Sequence, residues 1–131
     1  MKASVCSWIL SLAVLCGYQA VRADSPIEEV NKLRRQAVVS RTKSEADQKL
    51  DQAEDLLKKL QRSMSSLDYA FAQNQITQTR GLVCIAFWQR NRSDVHLRDQ
   101  GQQWLLTALD KYDWLAKECE DAAEAIVAAR G

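Results

Sequence analysis

The sequence predicts an all-α fold: a compact stack of four to five antiparallel helices with one disulfide. Three observations lead there. Pro26 is the only proline, and beyond residue 23 only Gly81, Gly101 and Gly131 are glycines, so few residues force a turn. The chain is rich instead in Ala, Leu, Gln, Glu and Lys, which lose little on entering a helix. Its apolar residues recur at helical spacing in several separate runs, and no strand–turn–strand pattern interrupts them.

In chain order, residues 1–23 read as a secretory signal peptide. Lys2 supplies the positive start, Val5 to Leu15 is apolar apart from serines, and Val21-Arg22-Ala23 places small or β-branched residues where cleavage needs them. The apolar run is too short to span a bilayer, so an uncleaved anchor is the weaker alternative. The expectation is a secreted, extracellular protein that begins at Asp24, with no membrane contact once the leader is removed. Residues 24–131 then form a single helical domain, since no low-complexity linker divides them. Removing Lys2 and Arg22 from the 18 basic residues leaves 16 against 17 acidic ones, a net charge of −1 with His96 neutral. That balance argues against nucleic acid as a partner, because phosphate binding calls for a basic excess.

The first helix is announced by Ser25-Pro26-Ile27-Glu28, a capping box with proline at the first helical position. Ile27, Val30, Leu33 and Ala37 follow at helical spacing to about Ser40. Thr42-Lys43-Ser44-Glu45 is a second capping box. It opens a heptad seam of Ala46, Leu50, Ala53, Leu57, Leu60, Met64, Leu67 and Phe71, predicting one helix over 43–73. A bundle helix is the reading preferred for this seam over a free-standing coiled coil.

A third segment runs from about Asn74 to Asn91. Its centre, Leu82-Val83-Cys84-Ile85-Ala86-Phe87-Trp88, is apolar on every side and fits a central helix better than a lone strand. Asn91-Arg92-Ser93 is a turn and an N-glycosylation sequon, with occupied and unused both open. Ser93 or Asp94 caps the next helix, which carries Leu97, Trp104, Leu105, Ala108 and Leu109. Leu115, Cys119, Ala122, Ala123 and Ile126 belong to the last segment.

Cys84 and Cys119 are the cysteines outside the leader. In an oxidising compartment such a pair is most simply one disulfide, the alternatives being an intermolecular bridge or two thiols. A turn near Arg92 would set Cys84 level with about Gly101, and Cys119 lies 18 residues beyond that. In a straight helix this separation is about 27 Å, against the roughly 7 Å limit for bridged Cα atoms. A bridge within one chain therefore requires a helix break between Leu109 and Trp114, with Asp110 or Asp113 capping the restart.

No catalytic constellation is found. His96 stands alone, no serine sits in a glycine elbow, and no glycine-rich loop is present to cradle phosphate. The acidic group Glu118, Glu120, Asp121 and Glu124 lacks the spacing of a calcium loop. No enzyme activity, metal or cofactor is expected. Trp88, Trp104 and Trp114 fall on apolar stripes and read as core ahead of a ligand cage. Lys32, Arg34, Arg35, Arg41 and Lys43 cluster about the first interhelical turn, and Arg34, Arg35 and Arg41 are the candidates for gripping an acidic partner.

An exported, all-helical chain with Leu82-Val83-Cys84-Ile85-Ala86-Phe87-Trp88 and Trp114-Leu115-Ala116-Lys117-Glu118-Cys119 followed by an Ala-rich tail resembles the small salivary proteins of anopheline mosquitoes that include albicin and anophensin. The chain is expected to be a monomer, and the resemblance implies a salivary inhibitor of host plasma cascades. Its target would be an extracellular plasma protein or protease complex of the alternative complement pathway, or of kallikrein–kinin contact activation. A cytokine-like helical ligand and a carrier of small apolar molecules are the other classes such a scaffold fits.

Overall fold

The computed structural model describes residues 26–130, so the expected leader, with Cys6 and Cys16, and the expected cap at Ser25 lie outside the described residues. Four α-helices follow in order: α1 Pro26–Val38, α2 Lys43–Leu60, α3 Ser66–Arg90 and α4 Val95–Arg130, with a 3-10 turn at Gln61–Ser63. No strand occurs among the described residues. The all-α expectation therefore stands. α1 and α2 pack on each other and on α3, while the extensive contacts of α4 are all with α3.

Local chemistry explains the first turns. Ser40 donates from Oγ to the Gln36 carbonyl at 2.8 Å and closes α1. Thr42 Oγ1 accepts from the Glu45 backbone N–H at 3.1 Å, and the Glu45 carboxylate accepts from the Arg41 N–H at 3.1 Å. The anticipated capping box is thus present, with its return bond one residue earlier than the usual pattern. Ala46, Leu50, Ala53 and Leu57 are fully buried against Val30, Ala37, Ile76 and Val83.

The single helix expected over 43–73 is corrected. The chain leaves the helix after Leu60, and Met64 is extended at φ −118°, ψ 152°. Ser63 Oγ takes the Leu60 carbonyl at 2.8 Å, and Ser65 Oγ caps the Asp68 N–H at 3.1 Å. Serines that satisfy orphan backbone groups on both sides favour a corner here, although the apolar heptad continues through it. Leu60 and Met64 still pack on the core, from the corner. The helix that follows then passes through Asn74 without interruption to Arg90.

The break expected between Leu109 and Trp114 is also absent. α4 is continuous for 36 residues, about 54 Å at 1.5 Å per residue. Nothing between Leu109 and Trp114 is glycine or proline, and Asp110 and Asp113 are exposed on the helix surface. Cys84 and Cys119 are accordingly not bonded to each other, and the expected disulfide is withdrawn. Cys84 is buried and its thiol lies 3.8 Å from Gln100 Oε1. Asp94 Oδ1, one of the two caps anticipated, accepts from the Leu97 N–H at 3.3 Å at the start of α4.

Antiparallel α3 and α4 meet along a seam that alternates large and small residues. The phenyl ring of Phe71 meets Tyr112 edge-on at 5.7 Å, and Asn74 Nδ2 donates to the Ala108 carbonyl at 2.9 Å. Leu105 fills the space at Gly81, and Ile85 fills that at Gly101. A Cβ on Gly81 would sit 2.7 Å from Leu105 Cγ and 3.1 Å from the Gly101 carbonyl oxygen. A Cβ on Gly101 would sit 2.9 Å from Ile85 Cδ1 and Cγ1. The glycines are required for close helix approach.

Gly81→Ala should lower stability by up to about 2 kcal/mol, because overpacking of about 1–3 kcal/mol is set against a helix-propensity gain of roughly 1. Leu105→Ala should be costly alone, and the double variant should lose less than the two single losses combined. Denaturant melts of the four proteins measure this directly.

The two interhelical corrections lead to opposite expectations. Ser65→Ala should cost about 1 kcal/mol by removing a helix cap. Asp110→Ala and Asp113→Ala, each on the surface of an unbroken helix, should change stability by less than about 0.5 kcal/mol. Chemical denaturation that reversed this order would restore the broken helix.

Candidate functional site

α3 lies between α1 and α4 and carries a polar junction where the three helices meet. Arg34 extends from α1, turned inward from the turn-proximal cluster that includes Arg35 and Arg41. Its Nε donates to Thr79 Oγ1 at 3.2 Å; its Nη1 donates to Asn31 Oδ1 at 3.2 Å and Gln75 Oε1 at 3.0 Å. From α4, the Tyr112 hydroxyl donates to Gln78 Oε1 at 2.9 Å. Thr79 directs its own proton to the Gln75 carbonyl at 2.8 Å, so its oxygen is left to accept from Arg34. Asn31, Arg34, Gln75, Gln78 and Tyr112 are all half-buried, which leaves the junction within reach of solvent.

Burial shapes the electrostatics. Loss of solvent lowers the Arg34 pKa from its ordinary value; Tyr112 opposes that shift and Arg35 adds to it. Burial pushes the Tyr112 phenol up, partly offset by Arg34. Cys84, deep in the core, is likewise pushed up by burial, with Lys43 acting in the opposite sense.

Arg80 is also withdrawn from solvent, its side chain 13% exposed, but it is neutralised. Asp51 and Glu54 of α2 pair with its Nη2 at 2.9 and 3.3 Å, and its guanidinium lies 5.9 Å from the Trp104 ring centre. One residue thereby links α2, α3 and α4. Among the other basic candidates, Arg35 is exposed and 3.8 Å from Glu28, and Arg41 is exposed in the α1–α2 turn.

The tryptophans do not form a shared cage. Trp88 lies under Arg92 at 4.7 Å near the α3–α4 turn, Trp104 under Arg80, and Trp114 under Lys111 at 4.0 Å. Trp114, read as core from its stripe, is 45% exposed. Leu109, also placed on an apolar stripe, is 57% exposed, and Leu106, which that stripe does not include, is 61% exposed, so the outer side of α4 carries several large apolar side chains. A depression of about 470 Å³ at Leu106 is lined by α4 side chains alone, including Gln103, Trp104 and Asp110. Asn91 is exposed just past the end of α3, and Ser93 Oγ donates to its Oδ1 at 2.7 Å. His96 is exposed in the first turn of α4.

Among the described residues no three His, Cys, Asp or Glu side chains converge to hold a metal, and no helix is long and apolar enough to cross a membrane. Comparison with known protein families, curated proteins and solved structures found no match. Arg34 lay within the basic cluster visible in the sequence, but its inward direction and its approach to Tyr112 did not, because they depend on tertiary packing.

Alkaline pH should destabilise the fold. Cys84 and Tyr112 both hold their protons more tightly folded than unfolded, so above about pH 9 the unfolded chain carries fewer protons and stability falls. Below the ordinary thiol and phenol range this contribution is constant. Tyr112→Phe should flatten the decline between about pH 9 and 11 in urea melts, while conserving most of the ring packing.

Proposed function

We propose that the chain is a secreted, non-enzymatic binding protein that inhibits a host plasma cascade by docking on an extracellular protein or protease complex. The observation that carries the reading is the outer side of α4, where Leu106, Leu109 and Trp114 stay exposed on a long helix held firmly by α3. Large apolar side chains exposed on a rigid helix are available as anchors for a partner, with the charged residues between them as a polar surround. The leader supports export, and the salivary resemblance supports the alternative complement pathway or contact activation as the cascade. Docking requires a shaped surface and no chemistry from the chain itself.

The purified chain from Asp24 onward should inhibit alternative-pathway lysis of erythrocytes or kallikrein generation in serum. Leu106→Glu with Leu109→Glu, or Trp114→Ala, should weaken inhibition at least tenfold if the face provides the anchors, as central aromatic and aliphatic contacts commonly do. His96→Ala should leave it intact. Charge reversal at Arg35 and Arg41 should slow association and steepen its salt dependence. Saturating protein that leaves both cascades untouched would sink the proposal.

A further inference from the structure

Two arginines partly withdrawn from solvent, Arg80 on α3 and Arg34 reaching it from α1, are treated differently by the chain. Arg80 is met by two carboxylates. Arg34 is met only by neutral oxygens, those of Thr79, Asn31 and Gln75. A desolvated guanidinium is ordinarily paired, because amide and hydroxyl oxygens replace its hydration incompletely. Arg34 forms no ion pair among the described residues, so its charge is open to an anionic ligand.

The hydrogen-bond pattern indicates what that ligand is. Arg34 uses Nε and both hydrogens of Nη1 on protein oxygens, and its Nη2 donors remain. Asn31 and Gln75 turn their amide oxygens to Arg34, and Gln78 turns its oxygen to Tyr112. Each amide therefore keeps its NH2 group as the unused end. The acceptors of the junction are consumed internally, whereas a cation and several donors are left over. That surplus matches an anion with two in-plane acceptor oxygens.

We propose that the α1–α3–α4 junction at Arg34 is a carboxylate-binding site, with Arg34 supplying charge and the amides of Asn31, Gln75 and Gln78 supplying surrounding donors. The carboxylate comes from an acidic side chain of a protein partner or from a small organic acid. The first source deepens the binding function proposed above and rests on it; the site itself does not.

Thermal unfolding of the full chain from Asp24 onward, at constant pH and ionic strength, tests the site with acetate and hexaglutamate against chloride. Carboxylate should raise the Tm by several degrees at concentrations well above Kd. Arg34→Gln should abolish the rise, Arg34→Lys should weaken apparent affinity at least tenfold, and Arg35→Gln, altering a neighbouring exposed arginine, should preserve it. Hexaglutamate acting at tenfold lower concentration than acetate assigns the carboxylate to a protein partner; equal potency per carboxylate assigns it to a small acid. An equal rise in Arg34→Gln and the unsubstituted chain, or no rise with either probe, overturns the site. If Arg34→Gln does not fold, the Arg34 Nε–H resonance of the unsubstituted chain decides: it must move on adding acetate or hexaglutamate, and an unmoved signal overturns the site. Because these measurements contain no plasma, a chain inert on both cascades that still binds carboxylate loses only the cascade assignment.

Discussion

Close approach of α3 and α4 governs the rest of the molecule. Leu105 occupies the space beside Gly81, and Ile85 the space beside Gly101, so each helix supplies both a projection and the gap that receives one. Between these contacts and the Phe71–Tyr112 pair lies Asn74, whose buried side chain is satisfied by the Ala108 carbonyl across the seam. A buried polar group on such a seam penalises sliding, since a shifted helix would leave it unsatisfied. The apolar contacts set how near the helices lie, and Asn74 sets where along their length they meet. Tyr112 reaches the Arg34 junction, and Trp104 lies beside Arg80, only because that register holds.

α3 consequently acts as a shared wall. One side faces the small apolar core built by α1 and α2, the other faces α4, and each border carries an arginine. At Arg80 the surroundings complete a charge network within the chain. At Arg34 they furnish oriented dipoles without a counter-charge. The same element thus closes a charge network on one border and leaves an arginine without a carboxylate partner on the other.

Much of this architecture was legible in the residues, and its failures are instructive. The boundaries at Thr42 and Asp94 were visible because side-chain caps act over three or four residues. The α2 core stripe was visible because Ala46, Leu50, Ala53 and Leu57 keep one period. The corner at Ser63–Ser65 was hidden by that same period: Leu60 and Met64 serve a core from a bent chain as well as from a straight one. The disulfide-driven break placed a covalent expectation above local propensity, although nothing from Leu109 to Trp114 resists a helix. The inward course of Arg34 and the outward course of Trp114 were beyond reach, because neighbouring helices decide which side of a residue meets solvent.

The far end of α4 has a consequence of its own. Residues 121–130 are exposed throughout, and Ile126 and Val127 gain no cover from α3. The helical state there is inherited: the packed length upstream has already met the nucleation penalty, and an alanine-rich sequence needs only to propagate. Order in this tail is therefore a matter of one-dimensional chain statistics, fading residue by residue toward Arg130. Warming should shorten the helix gradually from that end, well before the cooperative loss of the body, so the reach of the molecule becomes a continuous function of temperature.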